Sequence, residues 1–576
     1  MNIHALLVSR FTEALETLGV EDAPVPVTRS ARPEFGEYQF NGAMALAKKM
    51  KQKPRDIAEK ILDAVTLGDV AQKLEIAGPG FINIHLKDAW LANQCELALH
   101  DPRLGIAKAP QQNVVVDYSS PNLAKEMHVG HLRTTIIGDS VVKVLEFLGH
   151  NVIRQNHMGD WGTQFGMLLA HLSDKLQEEV AETALSDLED FYREAKVRFD
   201  EEEGFADRAR EYVVKLQGGD AQCLALWERF IDISIAHSEE VYEKLNVSLT
   251  RKDIMGESAY NADLANVVAD LKEKGIAVED QGAQVVFIPE LADKEGNPAV
   301  YIVQKSGGGY LYATTDLAAM RYRSGKLNAD RTLILTDARQ ALHFKQTEIV
   351  GRKAGFMKPE QTYEHCPFGM MLGSDGKPFK TRSGGTVKLA ELLDEAVERA
   401  TNLITQRDTD LSGDELKEVA RKVGIGAVKY ADLSKNRTTD YMFSWDSMLS
   451  FEGNTAPYLQ YAYTRVKSIF RKAGVSLATL PGEITLTEKQ EHHLAVLLMQ
   501  FEEVVGVVSR DATPHVLCTY LYDVASAFMS FYEACPILKE GTEQKTRESR
   551  LALSALVSRT LEQGLSLLGI ETLEKM

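Results

Sequence analysis

Cysteine is scarce in this chain. Five residues, Cys95, Cys223, Cys366, Cys518 and Cys535, stand among 576 with no Cys-x-x-Cys pair. That spacing indicates neither a disulfide framework nor a structural zinc site, and a reducing cytoplasm is the expected setting. Long apolar runs are missing as well. No stretch approaches about 18 uncharged apolar residues, and the first 19 residues carry Glu13 and Glu16 in an amphipathic pattern, so neither membrane insertion nor export is expected. With 44% hydrophobic and 26% charged residues, 17 prolines and 41 glycines, disorder and collagen are excluded. There is no internal repeat and no low-complexity tract, which removes solenoids. At roughly 100 to 200 residues per domain the length predicts three or four domains, too many for a single small binding module.

Basic residues are outnumbered, 65 Lys plus Arg against 83 Asp plus Glu, for a formal charge of −18. The total alone argues against a nucleic-acid partner. Its distribution argues otherwise. Acid concentrates around residues 178–203 and 408–418, whereas residues 454–482 contain no acid and four bases, Arg465, Lys467, Arg471 and Lys472.

Periodicity divides the chain near residue 110. Before it, helical stretches at 5–18 and 55–65 frame a strand-like run, 81–86, in which Ile82, Ile84 and Leu86 alternate with Phe81, Asn83 and His85, predicting one core face and one polar-aromatic face. After it, 113–118 reads as a buried strand, 129–148 as a helix ended by Gly149, and 151–155 as a second strand. Strand, helix, strand opens a doubly wound parallel sheet, whose ligands sit at the carboxyl ends of the strands. Residues 119–131 therefore become the first place to look for chemistry. A helical, acidic stretch at 173–245 and a strand-like one at 284–312 read as an insertion. The sheet resumes at 332–337, and an apolar run at 368–372 leads into a glycine-rich basic loop at 373–385. From about residue 419 onward nearly everything is helical, a bundle with amphipathic stretches at 457–472, 492–510, 516–533 and 548–567.

Two local patterns carry chemistry. In Pro121-Asn-Leu-Ala-Lys-Glu-Met-His128-Val-Gly-His131 two histidines three apart share one face of a predicted helix start, where free N–H groups and the helix dipole favour anions. Gly130 would let a nucleotide approach the backbone. Two capping histidines would give the same pattern. Zinc-binding pairs on helices are normally four apart beside an acid, as in H-E-x-x-H. In Asp375-Gly-Lys-Pro-Phe-Lys-Thr-Arg-Ser-Gly-Gly385 glycine backbone and cations together offer what a triphosphate needs, although a solvated turn would look similar.

Together the two patterns resemble the HIGH and KMSKS signatures of class I aminoacyl-tRNA synthetases. More narrowly, the chain resembles bacterial arginyl-tRNA synthetases along essentially its whole length. Four segments carry the likeness: residues 117–133, Gly159-Asp-Trp-Gly-Thr-Gln-Phe-Gly166, Tyr310-Leu-Tyr-Ala-Thr-Thr-Asp316 and Pro457-Tyr-Leu-Gln-Tyr-Ala-Tyr-Thr-Arg465. One departure stands out. Thr381 and Arg382 occupy the place of the second signature lysine and its serine, and the resemblance implies that Lys125 substitutes for that lysine.

The resemblance also implies roles. Lys125, His128, His131, Lys380 and Arg382 are the expected catalytic residues, and His128, Gly130, His131, Gly159 and Asp160 the ATP site. Asp117, Tyr312 and Asp316 are assigned to the arginine guanidinium, which as a cation removed from water demands carboxylates. Ser120, Asn122 and Gln340 are assigned to the α-amino end. Phe81 and Asn83 are expected to read a tRNA D-loop base, and Tyr458, Tyr461, Arg465 and Met576 to meet the anticodon. The first three of these last fall at i, i+3 and i+7 on one helical face. The expected architecture is α/β and multidomain: residues 1–110 an α+β tRNA-binding domain, 111–172 and 301–390 the halves of a Rossmann-like HIGH-type catalytic domain, 173–300 an insertion, 391–450 a helical connection and 451–576 an all-α anticodon-binding bundle. L-Arginine, ATP with Mg²⁺ and tRNA(Arg) are the expected partners, with no permanent cofactor, no resident metal, and a cytoplasmic monomer.

Overall fold

The structure, a computed structural model, describes residues 1–381, 384–407 and 410–576. The chain forms two compact units, one of residues 1–108, 450–566 and 571–576, the other of residues 109–449 and 567–570.

In the first unit, β1 (Val27–Arg29), β2 (Tyr38–Phe40), β3 (Ala71–Ala77) and β4 (Phe81–Leu86) form an antiparallel sheet in the order β1-β2-β4-β3. Ile82, Ile84 and Leu86 are fully buried, as their alternation predicts. Asn83 departs from the expected open face. β4 is a central strand, with Gln39 and Glu75 opposite Asn83 on its two neighbours, and Asn83 is buried with its Oδ1 accepting from Gln39 Nε2 at 2.7 Å. The helices Ala456–Ala473, Lys489–Met499, Phe501–Asp511, Pro514–Ala534 and Gln544–Leu567 build the bundle. Thr455 caps the first of them, its hydroxyl accepting from the Tyr458 N–H, with Pro457 in the first turn, and Gly474 at φ 66° ends it. The amphipathic run at 492–510 is two helices rather than one. They part at Gln500, which is buried with its amide donating to the Tyr38 hydroxyl.

In the second unit, β5 (Asn113–Asp117) and β6 (Asn151–Gln155) flank α1 (Leu132–Phe147). Gly149, at φ 94°, follows the helix as predicted. An insertion of helices then precedes an antiparallel three-stranded sheet of β7 (Val278–Asp280), β8 (Ala283–Ile288) and β9 (Ala299–Gln304). The parallel sheet resumes through α2 (Tyr312–Gly325), β10 (Arg331–Ile334), α3 (Ala341–Lys353) and β11 (Thr362–His365), in the order β11-β10-β5-β6. Val114, Val115 and Val116 are wholly buried, the continuous apolar run of a strand covered on both faces. Register aligns Asp117 with Ile334 on one side and Gln155 on the other, so three strands end level. Past them, β12 (Met371–Leu372) pairs in parallel with β13 (Tyr441–Met442) and delivers the glycine-rich loop.

Candidate active site

A cleft of about 450 Å³ opens beyond these strand ends, with Ser120, His128, Gly130, His131, Gln340 and Lys380 in its walls. The histidines sit at a 3₁₀ turn, Val129–His131, that leads into α1. The His128 Nδ1 accepts the Gly130 N–H at 3.0 Å, and the His131 Nδ1 accepts the His128 N–H at 3.1 Å. Burial and the nearby Lys125 charge hold His128 below its ordinary pKa, and burial, with the repulsion a second charge would meet if His128 were protonated, pushes His131 down to about 3. Both rings are therefore neutral at pH 7. With each Nδ1 occupied as an acceptor, the proton resides on Nε2, so the pair offers two N–H donors without a charge to desolvate. Gly130 has a more local reason than nucleotide approach: a Cβ there would lie 2.6 Å from His128 Cε1.

Backbone bonds join the histidine segment to the chain that follows the glycine-rich loop, with the Val129 N–H donating to the Val387 carbonyl and the Leu389 N–H to that of Met127. Lys125 is exposed, its ammonium 4.2 Å from the Tyr192 ring centroid. Arg382 lies outside the described residues.

The chain leaves β5 through two left-handed non-glycine residues, Ser119 at φ 70° and Ser120 at φ 50°, a conformation that costs about 1–3 kcal/mol per residue and needs compensation. Here it is over-determined by hydrogen bonds. Ser119 N–H donates to Thr134 Oγ1, Ser120 N–H to Asn156 Oδ1, and Ser120 Oγ to Asp117 Oδ1 at 2.9 Å.

Of the residues assigned to arginine, Ser120 and Gln340 line the cleft. Asp117 lies at the end of β5, buried. Tyr312, 67% exposed, and Asp316 occupy the first turns of α2, whose helical form gives the predicted one-turn spacing. Tyr260 and Tyr363 are both buried, and burial, with smaller contributions from the Asp117 and Asp316 charges, holds both hydroxyls above their ordinary pKa. Asn122 accepts the Ala124 N–H through Oδ1, and its backbone pairs with Gly159. A Cβ on Gly159 would stand 3.3 Å from Asn122 Cα, so this glycine serves the approach of two backbone segments. Asp160 is committed elsewhere. It is buried and accepts from Ser258 N and Oγ at 2.8 and 2.6 Å, and neither Gly159 nor Asp160 lines the cleft.

Four further groups around the carboxylates escape a sequence reading. The Arg323 guanidinium donates to Asp117 Oδ2 and Gln155 Oε1, and His343 Nε2 lies 2.5 Å from Asp316 Oδ2. Burial, with Asp160 and Asp316 as neighbours, pushes Glu257 up to about 8. The buried Tyr260 hydroxyl has no hydrogen-bond partner among the described residues. Only Arg323 leaves a local trace, since Tyr312, Asp316 and Arg323 share one face of α2.

In the first unit, Tyr458, Tyr461 and Arg465 are half-buried. Arg465 donates to the Tyr461 hydroxyl at 2.9 Å and stands 5.4 and 5.2 Å from the ring centroids of Tyr461 and Tyr532. The chain end lies along the same helix, with Gln460 and Arg471 donating to the carbonyls of Glu571 and Glu574, so Met576 follows closely. Phe81 is half-buried at the start of β4. A larger cavity of about 800 Å³ in this unit includes Glu37, Asp88 and His492, with the His492 ring bonded to Asp88 through Nδ1 and to Glu37 through Nε2.

Comparison with known proteins decides the family. Residues 94–445 match the family described as tRNA synthetases class I (R), catalytic domain. The chain belongs to the arginyl-tRNA synthetases. Residues 5–86 match the arginyl-tRNA synthetase N-terminal domain and 459–576 the DALR anticodon-binding domain. The chain is 88% identical to an arginine–tRNA ligase of Alteromonas mediterranea and 75% identical to one of Pseudoalteromonas atlantica, each over the full length of both proteins. Among solved structures it is similar to the arginyl-tRNA synthetase of Plasmodium falciparum, at 30% identity and a TM-score of 0.87 over 100% of this chain and 99% of that one. It is also similar to that of Thermus thermophilus, at 25% and 0.84 over all of both. The expected combination of a class I catalytic domain, an N-terminal domain and a helical C-terminal domain is therefore present.

Proposed function

We propose that this chain is an arginine–tRNA ligase, condensing L-arginine with ATP to arginyl-adenylate and pyrophosphate and then passing the arginyl group to tRNA(Arg) with release of AMP. The observation that carries this reading is the placement, in one parallel-sheet unit, of a neutral histidine pair in the wall of a cleft of about 450 Å³, with the buried Asp117 at the end of the adjoining strand. In the first step the arginine carboxylate attacks the α-phosphorus in line. The Nε2–H groups of His128 and His131, with Lys125, Lys380 and Arg382, stabilise charge that grows on the phosphate oxygens. Neutral donors suit that task, because they bind the developing anion without holding the ground state too tightly.

The guanidinium is taken by Asp117, Asp316 and Tyr312, and the α-amino end by Ser120, Asn122 and Gln340. Since Ser120 and Gln340 line the cleft while the carboxylates lie beyond it, a bound arginine points its carboxylate toward ATP. In the second step a ribose hydroxyl of the terminal tRNA adenosine attacks the adenylate, by class I analogy the 2′-hydroxyl. Mg²⁺ enters with ATP as part of the substrate. Tyr458, Tyr461, Arg465 and the chain end at Met576 meet the anticodon, Phe81 and Asn83 a D-loop base, and the enzyme works as a cytoplasmic monomer. Among the described residues no helix is long and apolar enough to cross a membrane.

Pyrophosphate exchange with each of the twenty amino acids, with and without tRNA, tests the assignment. Arginine alone should support exchange, and equal exchange with another amino acid would overturn it.

A further inference from the structure

Arg323 is 3% exposed and is not among the residues that line the cleft. Nε donates to Gln155 Oε1 at 2.6 Å and Nη2 to Asp117 Oδ2 at 2.7 Å. Gln155 ends β6 and Asp117 ends β5, in register with each other, so the planar guanidinium spans two adjacent strand ends. It reaches them from α2, where Tyr312, Asp316 and Arg323 fall at i, i+4 and i+11. These positions lie within about 40° of one another at 100° per residue. The helix that offers Tyr312 and Asp316 to the substrate thus carries, on the same face, the cation that holds the other pocket carboxylate. Burial works against the charge on Arg323, but attraction and hydrogen bonding to Asp117, together with Tyr260 and Tyr363, outweigh it, so its pKa stands above the ordinary value and it remains a cation.

We propose that Arg323 is a positioning residue for arginine selection, fixing the Asp117 carboxylate so that its unused acceptor sites stay aimed at the incoming guanidinium. The inference rests on the reading that Asp117 contacts the substrate. A carboxylate has about four acceptor positions. Arg323 takes one on Oδ2 and Ser120 Oγ one on Oδ1, which leaves two to accept a second guanidinium. Without Arg323, Asp117 becomes a buried anion lacking its fixed partner, free to rotate or to take up a proton. The arrangement also explains why the pocket needs Asp316. Asp117 shares its charge with an internal cation, so it contributes oriented acceptors, while Asp316 supplies further negative charge for the ligand.

The test is a two-by-two set of full-length enzymes, wild type, Arg323→Met, Asp117→Asn and the double variant. KM for arginine and for ATP would be read separately by pyrophosphate exchange at saturating tRNA. Arg323→Met should raise the arginine KM by roughly 10-fold to 100-fold, the range of a lost charged hydrogen bond, and leave the ATP KM within about twofold. In the Asp117→Asn background the same change should add less than about twofold, because a residue that acts through another has nothing left to act on. Arg323→Lys, which keeps a cation for Asp117, should recover most of the loss. Gln155→Leu, which releases the far end only, should move the arginine KM less than Arg323→Met does. Equal factors in the two backgrounds, an ATP KM that rises in step, or an unchanged arginine KM would each overturn the proposal. If the methionine variant does not fold, Arg323→Gln takes its place in the same cycle. An unchanged arginine KM in Asp117→Asn alone would remove Asp117 from the pocket, whereas a raised one beside unaffected Arg323 variants would remove only Arg323.

Discussion

The backbone N–H of Val129 donates to the carbonyl of Val387 at 3.0 Å, joining the turn that carries the two histidines to the segment that closes the glycine-rich loop. The histidine turn and the end of the glycine-rich segment are thus held on one backbone framework although 258 positions separate them, the difference between 387 and 129. Replacing His128 or His131 by alanine removes one neutral donor and leaves that framework in place. Adenylation should fall roughly 10²-fold to 10³-fold with tRNA affinity nearly unchanged, as for loss of a single charge-stabilising donor. Single-turnover adenylation beside a filter-binding titration of tRNA checks both halves, and parallel loss of the two would indicate misfolding.

His131 also ties stability to pH. Its folded pKa of about 3 lies below the ordinary 6.5, so between these values the unfolded chain binds the extra proton. Its contribution is present above pH 6.5 and is lost as pH falls toward 3. His131→Asn should flatten the fall of the thermal midpoint with pH across that window. An unchanged slope in that variant would deny the imidazole its neutral, bonded state.

His492 has the opposite sign. Hydrogen bonding to Glu37, opposed by burial and assisted by Asp88, raises it to about 9. Its contribution is fully present below pH 6.5 and is lost as pH rises through 9. Denaturant unfolding at pH 6 and pH 10 should therefore show a smaller difference in His492→Gln than in wild type.

These predictions depend on placements that the sequence discloses unevenly. The strand, helix and strand at 113–155, the helical spacing of Tyr312 and Asp316 and the Gly149 terminator were legible, because each is set by local periodicity or backbone preference. Asn83 was not, since alternation reports two faces but cannot tell a central strand from an edge. At the break, Gln500 bonds to Tyr38, 462 residues away, a contact that no window of sequence contains. His343 looks like an ordinary helix-surface residue, and Arg323 betrays no more than a shared helix face with Tyr312 and Asp316, until the sheet order brings Asp316 and Asp117 to them.

Asp316→Asn should raise the apparent KM for arginine while leaving that for ATP in place, since it removes a charge partner of the guanidinium alone. His343→Gln, which loses the partner of Asp316, should shift the same constant by less. Steady-state kinetics with each substrate varied in turn separates the two, and unaltered arginine kinetics in Asp316→Asn would take that residue out of the pocket.

Arg465→Ala should weaken tRNA binding and reduce the slope of log K against log salt by about one, the mark of a lost phosphate contact. Because Arg465 already leans on Tyr461 and Tyr532, Arg465→Lys should recover the salt slope but not the full affinity. Exchange at subsaturating tRNA should fall in the alanine variant and be restored by saturating tRNA. Robust exchange without RNA would separate anticodon contact from adenylation.

The bond between Asp117 and Arg323 spans 206 positions, and that distance is also an interval of time during synthesis. At about 5–20 residues per second, Arg323 emerges roughly 10–40 s after Asp117. Throughout that interval β5 exists without β10 beside it, and its terminal carboxylate has no permanent cation to face. The nascent chain must therefore carry an exposed, valine-rich edge and an unpaired acid for most of the time that the insertion is being made. The parallel sheet can close only when translation has passed α2, so the Asp117–Arg323 pair and the sheet that bears it are completed by the same late segment.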